Sequence, residues 1–356
     1  MADRTHITDE ELNAAIEAGA RDAREAGFDP GSAEPLPYAE LDWRSDPGPR
    51  RWLVEGLIPA GRLSALYGPG EVGKSRLLLQ LALAVIDPAD GPLLPGHGPD
   101  IPIVRTHGAA VLVTWEDEAD EVARRYHMAR RAGAVPAGAD PDVHLRVVDM
   151  RQVGGPLWAP GSGGHVSTEG SWTEAGRQLL ALMERDRPAL LVIDPIAAAY
   201  ACSELDRALV RRFTAALDAA AEANGVTVVL AGHPPKGEAG YSGSTDWRNG
   251  VRGMLTLRSV KTRYYTPQDE PIEAPALVRD KSNYGPGRDP IWLRSLWSPA
   301  SQAGGAELAW FATDEDTAAH EVDPGASLNK TGKTARRGHR SAREGDDAQA
   351  SDGPVA

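Results

Sequence analysis

Five candidate strands, four of them largely apolar runs, punctuate the first two thirds of the chain: Leu63 to Tyr67, Ala110 to Trp115, Val143 to Val148, Ala189 to Asp194 and Val226 to Ala231. The stretches between them are long enough for helices. This alternation predicts an α/β fold with a mainly parallel sheet, because parallel neighbours need a crossover connection that is usually helical. Two of the intervening helices open with capping-box spacing, Ser171-Trp172-Thr173-Glu174 and Ser203-Glu204-Leu205-Asp206. In that motif the hydroxyl and the carboxylate three residues later satisfy free backbone donors. The second helix runs to Asn224-Gly225, a stop signal. After Ala231 the rhythm shortens to β-like segments around Met254 to Leu257, Ala274 to Val278 and Ile291 to Leu293, which predicts antiparallel strands added to one sheet edge. The glycine- and proline-rich stretch from Gly154 to Gly170 reads as a mobile surface loop.

Composition bounds the folded part. Residues 1–42 read as a disordered or linker segment with one short alanine-rich helix, and core-forming residues begin near Trp43 or Trp52. From Asp314 onward aromatic residues vanish, so 43–313 is the expected folded domain and 314–356 a disordered tail. That tail carries a basic stretch, Lys330, Lys333, Arg336, Arg337, Arg340 and Arg343, which is either a nucleic-acid arm or simply solvated. A net charge of −13 over 356 residues argues against a wholly basic, nucleic-acid-coating protein and leaves a local basic channel open. Cys202 is the single cysteine, which excludes an intrachain disulfide and a cysteine-rich metal site and fits a reducing cytoplasm. No run approaches the ~18 apolar residues of a membrane span, so a soluble protein with no membrane partner is expected.

The first apolar run leads directly into Gly68-Pro69-Gly70-Glu71-Val72-Gly73-Lys74-Ser75, a complete G-x-x-x-x-G-K-S phosphate loop, and a leucine-rich helix follows. Glycines let backbone N–H groups curl around an anion, and the helix N-terminus adds a favourable dipole. Lys74 reaches the β- and γ-phosphates in such a loop, and the Ser75 hydroxyl ligates Mg²⁺. The expected ligands are a nucleoside triphosphate and Mg²⁺. Leu190 to Asp194 is an apolar strand ending in a carboxylate, which gives Asp194 the second Mg²⁺ role. Pro195 follows it, so a water-activating glutamate must come from elsewhere. Glu116, Asp117 and Glu118 end the strand after the phosphate-loop helix, at the carboxyl edge where ligands bind in open α/β sheets. Glu116, nearest the strand end, is the candidate general base; the other reading is that all three form the acidic first turn of a helix.

From about Trp52 to Trp297 the chain resembles the RepA-type hexameric replicative helicases and related AAA-domain ATPases with a RecA-like core. The matching pieces, in order, are Gly68 to Ser75, Glu116-Asp117, Leu191 to Asp194, Leu230 to Gly237 and Lys281 to Gly285. The resemblance implies a RecA-like P-loop NTPase fold, ATP as the nucleotide, a homo-oligomeric (hexameric) ring, single-stranded DNA as a partner, and replication proteins as further partners. It makes His233 a sensor of the γ-phosphate and Lys281 a cation reaching a nucleotide, commonly across a subunit boundary. Asn283 stands where DnaB-like helicases carry an arginine finger, and Arg252 matches an arginine of the RepA type. The loop between His233 and Arg252 resembles a channel loop and, with its flanks, offers Lys236, Tyr241, Trp247 and Arg248 to a single strand. Two other readings stay open: a nucleotide-gated regulatory ATPase that moves no DNA, and a P-loop small-molecule kinase.

Overall fold

The computed structural model describes residues 43–98, 101–161, 170–233, 246–285, 289–298 and 306–328. The chain divides into two compact units, 1–49 and 50–356. Of the first, 43–49 are described; Asp46 Oδ1 accepts a hydrogen bond from Gly48 N at 2.8 Å, and Trp43 is 87 % exposed. Trp43 is therefore no part of a core. In the second unit the first strand is Trp52–Val54, whose Leu53 and Val54 are fully buried. It pairs with Ile58–Pro59 and Ile103–Val104 in a small four-stranded sheet.

The main sheet contains β1 (Leu63–Tyr67), β2 (Ala110–Thr114), β3 (Leu145–Asp149), β4 (Leu190–Asp194), β5 (Thr227–Gly232), β6 (Gly253–Tyr265), β7 (Pro271–Ser282), β8 (Ile291–Ser298) and β9 (Ala306–Thr313). Their spatial order is β9-β8-β7-β6-β1-β5-β4-β2-β3. The five expected strands are all present, β1 at its expected bounds and the others shifted by one or two residues at their ends. They pair in parallel, and four of them are buried almost throughout, as continuous apolar runs covered on both faces require. Past Gly232 the expectation of antiparallel edge strands needs one correction, because β6 pairs in parallel with β1 on one side while pairing antiparallel with β7 on the other. The arm from β6 to β9 carries the antiparallel pairs.

Helix α1 (Lys74–Ile86) is apolar almost all round, and a helix of that kind must be covered on every side. One cover is β9: Gln80, buried among leucines, takes the amide of Trp310 on its Oε1 at 2.8 Å and donates Nε2 to the Trp310 carbonyl at 2.9 Å. The amide side chain thus serves strand β9 as a partner strand would. Helix α2 (Ala119–Arg131) is amphipathic, while α3 (Glu174–Asp186) and α4 (Arg207–Asn224) cover the other sheet face. The capping residues differ from the sequence expectation. Thr173, not Ser171, caps α3 by accepting from Gly176 N at 3.1 Å, because Ser171 is committed to a strand, Gly170–Trp172, paired with Trp158–Pro160. Asp206, not Ser203, caps α4 through Ala208 N and Leu209 N. Gly225 ends α4 at φ 68, as expected.

That two-stranded pairing also corrects the Gly154 to Gly170 expectation where it is described: Trp158 is buried against Trp172 and Phe213. The tail boundary moves as well. Asp314 caps α6, after α5 (Asp246–Gly250), by accepting from Thr317 N at 2.7 Å; α6 is Glu315–Val322, and β10 (Ser327–Leu328) pairs with β6. Ala319 and Ala326 pack with Tyr264 and Ile272, so small alanines complete a core where no aromatic marked one. The basic stretch from Lys330, the N-terminal alanine-rich helix, and Lys236 and Tyr241 lie outside the described residues. Among the described residues, no helix is long and apolar enough to cross a membrane.

Candidate nucleotide-binding site

Strands β1 and β4 are not neighbours; β5 runs between them, so the loops after all three converge at one carboxyl edge. This is where the phosphate loop leaves β1. Gly68 N donates to Gly232 O at 3.3 Å, and a Cβ added to Gly68 would lie 2.7 Å from the Leu257 carbonyl oxygen. Glu71 (φ 63) and Gly73 (φ 91) are left-handed, which curls the loop onto the N-terminus of α1. Only glycine takes φ 91 without strain.

Lys74 is 7 % exposed, and its Nζ donates to the carbonyls of Gly68 and Pro69, each at 2.8 Å, and lies 3.3 Å from His233 Nδ1. Burial lowers its pKa, against the opposing charges of Asp194 and Glu116. Ser75 Oγ donates to Asp194 Oδ2 at 2.7 Å. Burial raises the Asp194 pKa, and the nearby Glu116 and Asp117 charges add to the rise. Lys74, Ser75, Asp194, Glu116, Asp117 and His233 border one cleft of about 330 Å³.

The three carboxylates after β2 divide their work. Thr114 Oγ1 accepts from the amides of Glu116 and Asp117 and turns the chain. Asp117 makes a two-pronged ion pair with Arg125 of α2, and Glu118 pairs with Arg151. Among the described residues, the Glu116 carboxylate takes no hydrogen bond or ion pair. It faces the cleft uncommitted. The helix itself begins at Ala119, with Asp120 and Glu121 as its acidic first turn, so Glu116 precedes the helix.

Donor chemistry fits the groups that the loop implies. The Ser75 hydroxyl and the Asp194 carboxylate are hard oxygen donors, and the loop is shaped so tightly that a side chain at Gly68 would fill it. Among the described residues, no cluster of three His, Cys, Asp or Glu side chains could hold a metal alone. A Mg²⁺ bound here would therefore share its shell with phosphate oxygens and water.

Arg252 and Lys281 do not join this cleft. Arg252 N donates to Leu63 O, at the amino end of β1, five strand residues or about 16 Å from the phosphate loop. Its guanidinium bonds Asp218 at 3.1 and 3.2 Å, and Asp218 also takes Arg62 and the Leu63 amide. Lys281 donates to the carbonyls of Arg248, Asn249 and Val251, capping the end of α5, and burial beside Arg248 and Arg252 lowers its pKa. Trp247 is core, 4 % exposed against Tyr200 and Phe213, and not a stacking surface for a single strand. Its neighbour Asp246, with no exposed side-chain surface, is clasped by Arg207 and Arg211.

Three residues at the site gave little signal in the sequence. Arg125 lies two helical turns past Asp117. Arg76 follows Ser75 and borders the cleft; burial, with the nearby Arg125 charge, lowers its pKa to about 10. Trp310 on β9 donates its indole Nε1–H to Gly73 O at 3.2 Å from more than two hundred residues away.

No curated protein matches the chain. A KaiC-like protein from the hyperthermophilic archaeon Pyrococcus horikoshii OT3 has a similar structure, with a TM-score of 0.43 and 14% identity over 74% of this chain and 94% of that one. The AAA domain family model matches residues 31–239, well over half of the chain and inclusive of the phosphate loop, Glu116, Asp194 and His233. With a phosphate loop between a parallel strand and its helix, in a sheet extended by antiparallel strands, this chain belongs to the AAA domain family of RecA-like P-loop NTPases.

Proposed function

We propose that the chain is a Mg²⁺-dependent ATP hydrolase of the RepA helicase type, a ring-forming motor that couples turnover to movement on single-stranded DNA during replication. The observation that carries the hydrolytic part is the Glu116 carboxylate, uncommitted and facing a cleft shared with Lys74, Ser75 and Asp194, while Asp117 and Glu118 are engaged by arginines. In this reading Lys74 leaves the Gly68 and Pro69 carbonyls for the β- and γ-phosphates. Ser75 and Asp194 would hold Mg²⁺, which would supply charge neutralisation at those phosphates. Glu116 accepts the proton of the attacking water, and His233, beside Lys74, donates to the γ-phosphate and follows its loss.

A ring is supported by the distance of Arg252 and Lys281 from their own cleft, since from the opposite strand ends they could serve only a neighbour's nucleotide. The second reading, a nucleotide-gated regulatory ATPase without DNA movement, is favoured by the commitment of Arg252 to Asp218 and by the burial of Trp247.

The test is ATP hydrolysis by the purified chain with and without single-stranded DNA at low salt, where phosphate contacts are strongest, with Glu116→Gln as control and assembly mass measured alongside. Strong stimulation of a hexamer that the substitution abolishes supports the motor. Slow, DNA-independent turnover by a monomer or dimer selects the regulatory ATPase.

A further inference from the structure

Trp310 stands 71 residues beyond the end of the family match, on the last long strand of the antiparallel arm, yet it touches the phosphate loop. Its indole N–H donates to the carbonyl of Gly73, the glycine just before Lys74, at 3.2 Å. Its backbone N–H and C=O are both held by the Gln80 side-chain amide, about two helical turns past Gly73 on α1. Its ring carries Arg76, whose guanidinium carbon lies 5.4 Å from the ring centroid, and Arg76 borders the nucleotide cleft. Packing is tight enough that a Cβ built on Gly73 would lie 2.5 Å from Arg76 Nη2 and 2.9 Å from Trp310 Nε1.

These contacts make one unit of Gly73, Arg76, Gln80 and Trp310. A ring packed over Gly73 limits how far the loop opens, and stacking on an aromatic face holds a guanidinium in place that would otherwise sweep through many rotamers. Strand β9 is hydrogen-bonded along its length to β8, so its position is set by the arm and not by α1 alone.

We propose that Trp310 is a positioning residue of the nucleotide site: its N–H holds the Gly73 carbonyl and its ring aligns Arg76 toward the phosphates, so that the antiparallel arm is part of the nucleotide-binding apparatus and responds to nucleotide. This rests on the reading that the phosphate loop binds Mg-ATP. Gly73 and Arg76 flank Lys74 and Ser75, so a change in phosphate occupancy is felt at Trp310 without a further relay.

The experiment compares the full chain with Trp310→Phe, which keeps a ring and removes the N–H, and with Lys74→Ala. Calorimetry with Mg-AMP-PNP reads affinity, turnover gives KM and kcat separately, and tryptophan emission is recorded on titration. The expected result is about a threefold to tenfold loss of affinity in Trp310→Phe, the range for one hydrogen bond. KM rises with it while kcat stays within about twofold, and the emission change seen in the unaltered chain is lost although calorimetry still detects binding. Hydrogen exchange on the unaltered chain needs no variant: residues 306–313 gain protection with Mg-AMP-PNP. Unchanged affinity and emission in a folded Trp310→Phe, or unchanged exchange of 306–313, overturns the positioning role while Lys74→Ala still abolishes binding. Absence of binding by the unaltered chain overturns the nucleotide reading and this inference together.

Discussion

Ser75 and Asp194 are 119 residues apart in the chain, yet the hydroxyl of one donates to the carboxylate of the other at 2.7 Å. Strand β5 lies between the strands that deliver them, and His233 follows it into the same cleft. The carboxylate is buried, and burial raises its pKa from the ordinary 3.8. Such a group costs stability, and a buried carboxylate with a raised pKa in a cleft is a candidate functional residue.

Asp194→Asn is therefore expected to weaken Mg-dependent nucleotide binding about 10- to 100-fold without loss of folding stability. The sign of the pH effect follows from linkage. With its pKa raised on folding, Asp194 holds its proton more tightly in the folded chain, so its contribution to stability falls as pH rises from 3.8 through the raised value. Denaturant melts of both chains across that window check this: the Asp194 contribution to the slope disappears in the variant.

Glu116→Gln is expected to reduce turnover by about 10²- to 10⁴-fold with Mg-ATP affinity retained, since it removes a proton acceptor and leaves the cleft's shape intact. Asp117→Asn instead loosens Arg125 and raises KM. Parallel steady-state kinetics separate the two, and equal effects on kcat would remove the special role of Glu116.

Asp218 gathers Arg62, Arg252 and the Leu63 amide while only 6 % exposed. Asp218→Ala removes the acceptor of the buried Leu63 amide and the partner of Arg252, while Arg62 keeps Glu222, and is expected to cost about 1–3 kcal/mol in denaturant unfolding. Arg252→Ala, at a partly exposed pair, costs about 1 kcal/mol or less. If Arg252 also serves a neighbour's nucleotide, that variant lowers turnover about 10³-fold and depresses mixed assemblies more than in proportion. Wild-type turnover by a ring of Arg252→Ala subunits removes the finger role.

Trp247 separates packing from DNA contact. Trp247→Ala is expected to destabilise the fold by about 3–5 kcal/mol, because the side chain fills a pocket among Tyr200 and Phe213. A Trp247→Phe chain that stays folded is expected to bind single-stranded DNA as the unaltered chain does. Weaker binding by that chain would return Trp247 to the DNA surface.

Truncation tests the end of the folded unit. Removing 330–356 is expected to leave the melting temperature within about 2 °C, whereas removing 314–356 strips Ala319 and Ala326 from Tyr264 and Ile272 and lowers it by more than about 4 °C. Equal melting temperatures would return the boundary to Thr313.

The core strands and the loop were legible because their signals are local. Largely apolar runs of five or six residues marked four of the five parallel strands, and the spacing from Gly68 to Ser75 implies its own geometry. The strand ends bearing Glu116, Asp194 and His233 were legible for the same reason. The α3 cap was misplaced by two residues because the strand Gly170–Trp172 claims Ser171, a pairing that no local spacing reveals, and the α4 cap by three because the Asp206 carboxylate itself takes the Ala208 and Leu209 amides. The boundary at 314 was misplaced because α6 closes its core with alanines and Asp314 as a cap, residues that also suit a tail.

By itself, then, the sequence determined the parallel core, the phosphate loop and the residue types at its edge, since each is written in consecutive residues. Tertiary structure alone decided which carboxylate is left uncommitted among the described residues, that Arg252 and Lys281 belong to the far end of the strands, that Trp247 is core, and that Trp310 reaches Gly73. The reason is physical. Strand order, crossover and the curl of the antiparallel arm bring side chains from distant segments within 3 Å or part them by about 16 Å, and the pattern of one segment carries no record of its neighbour.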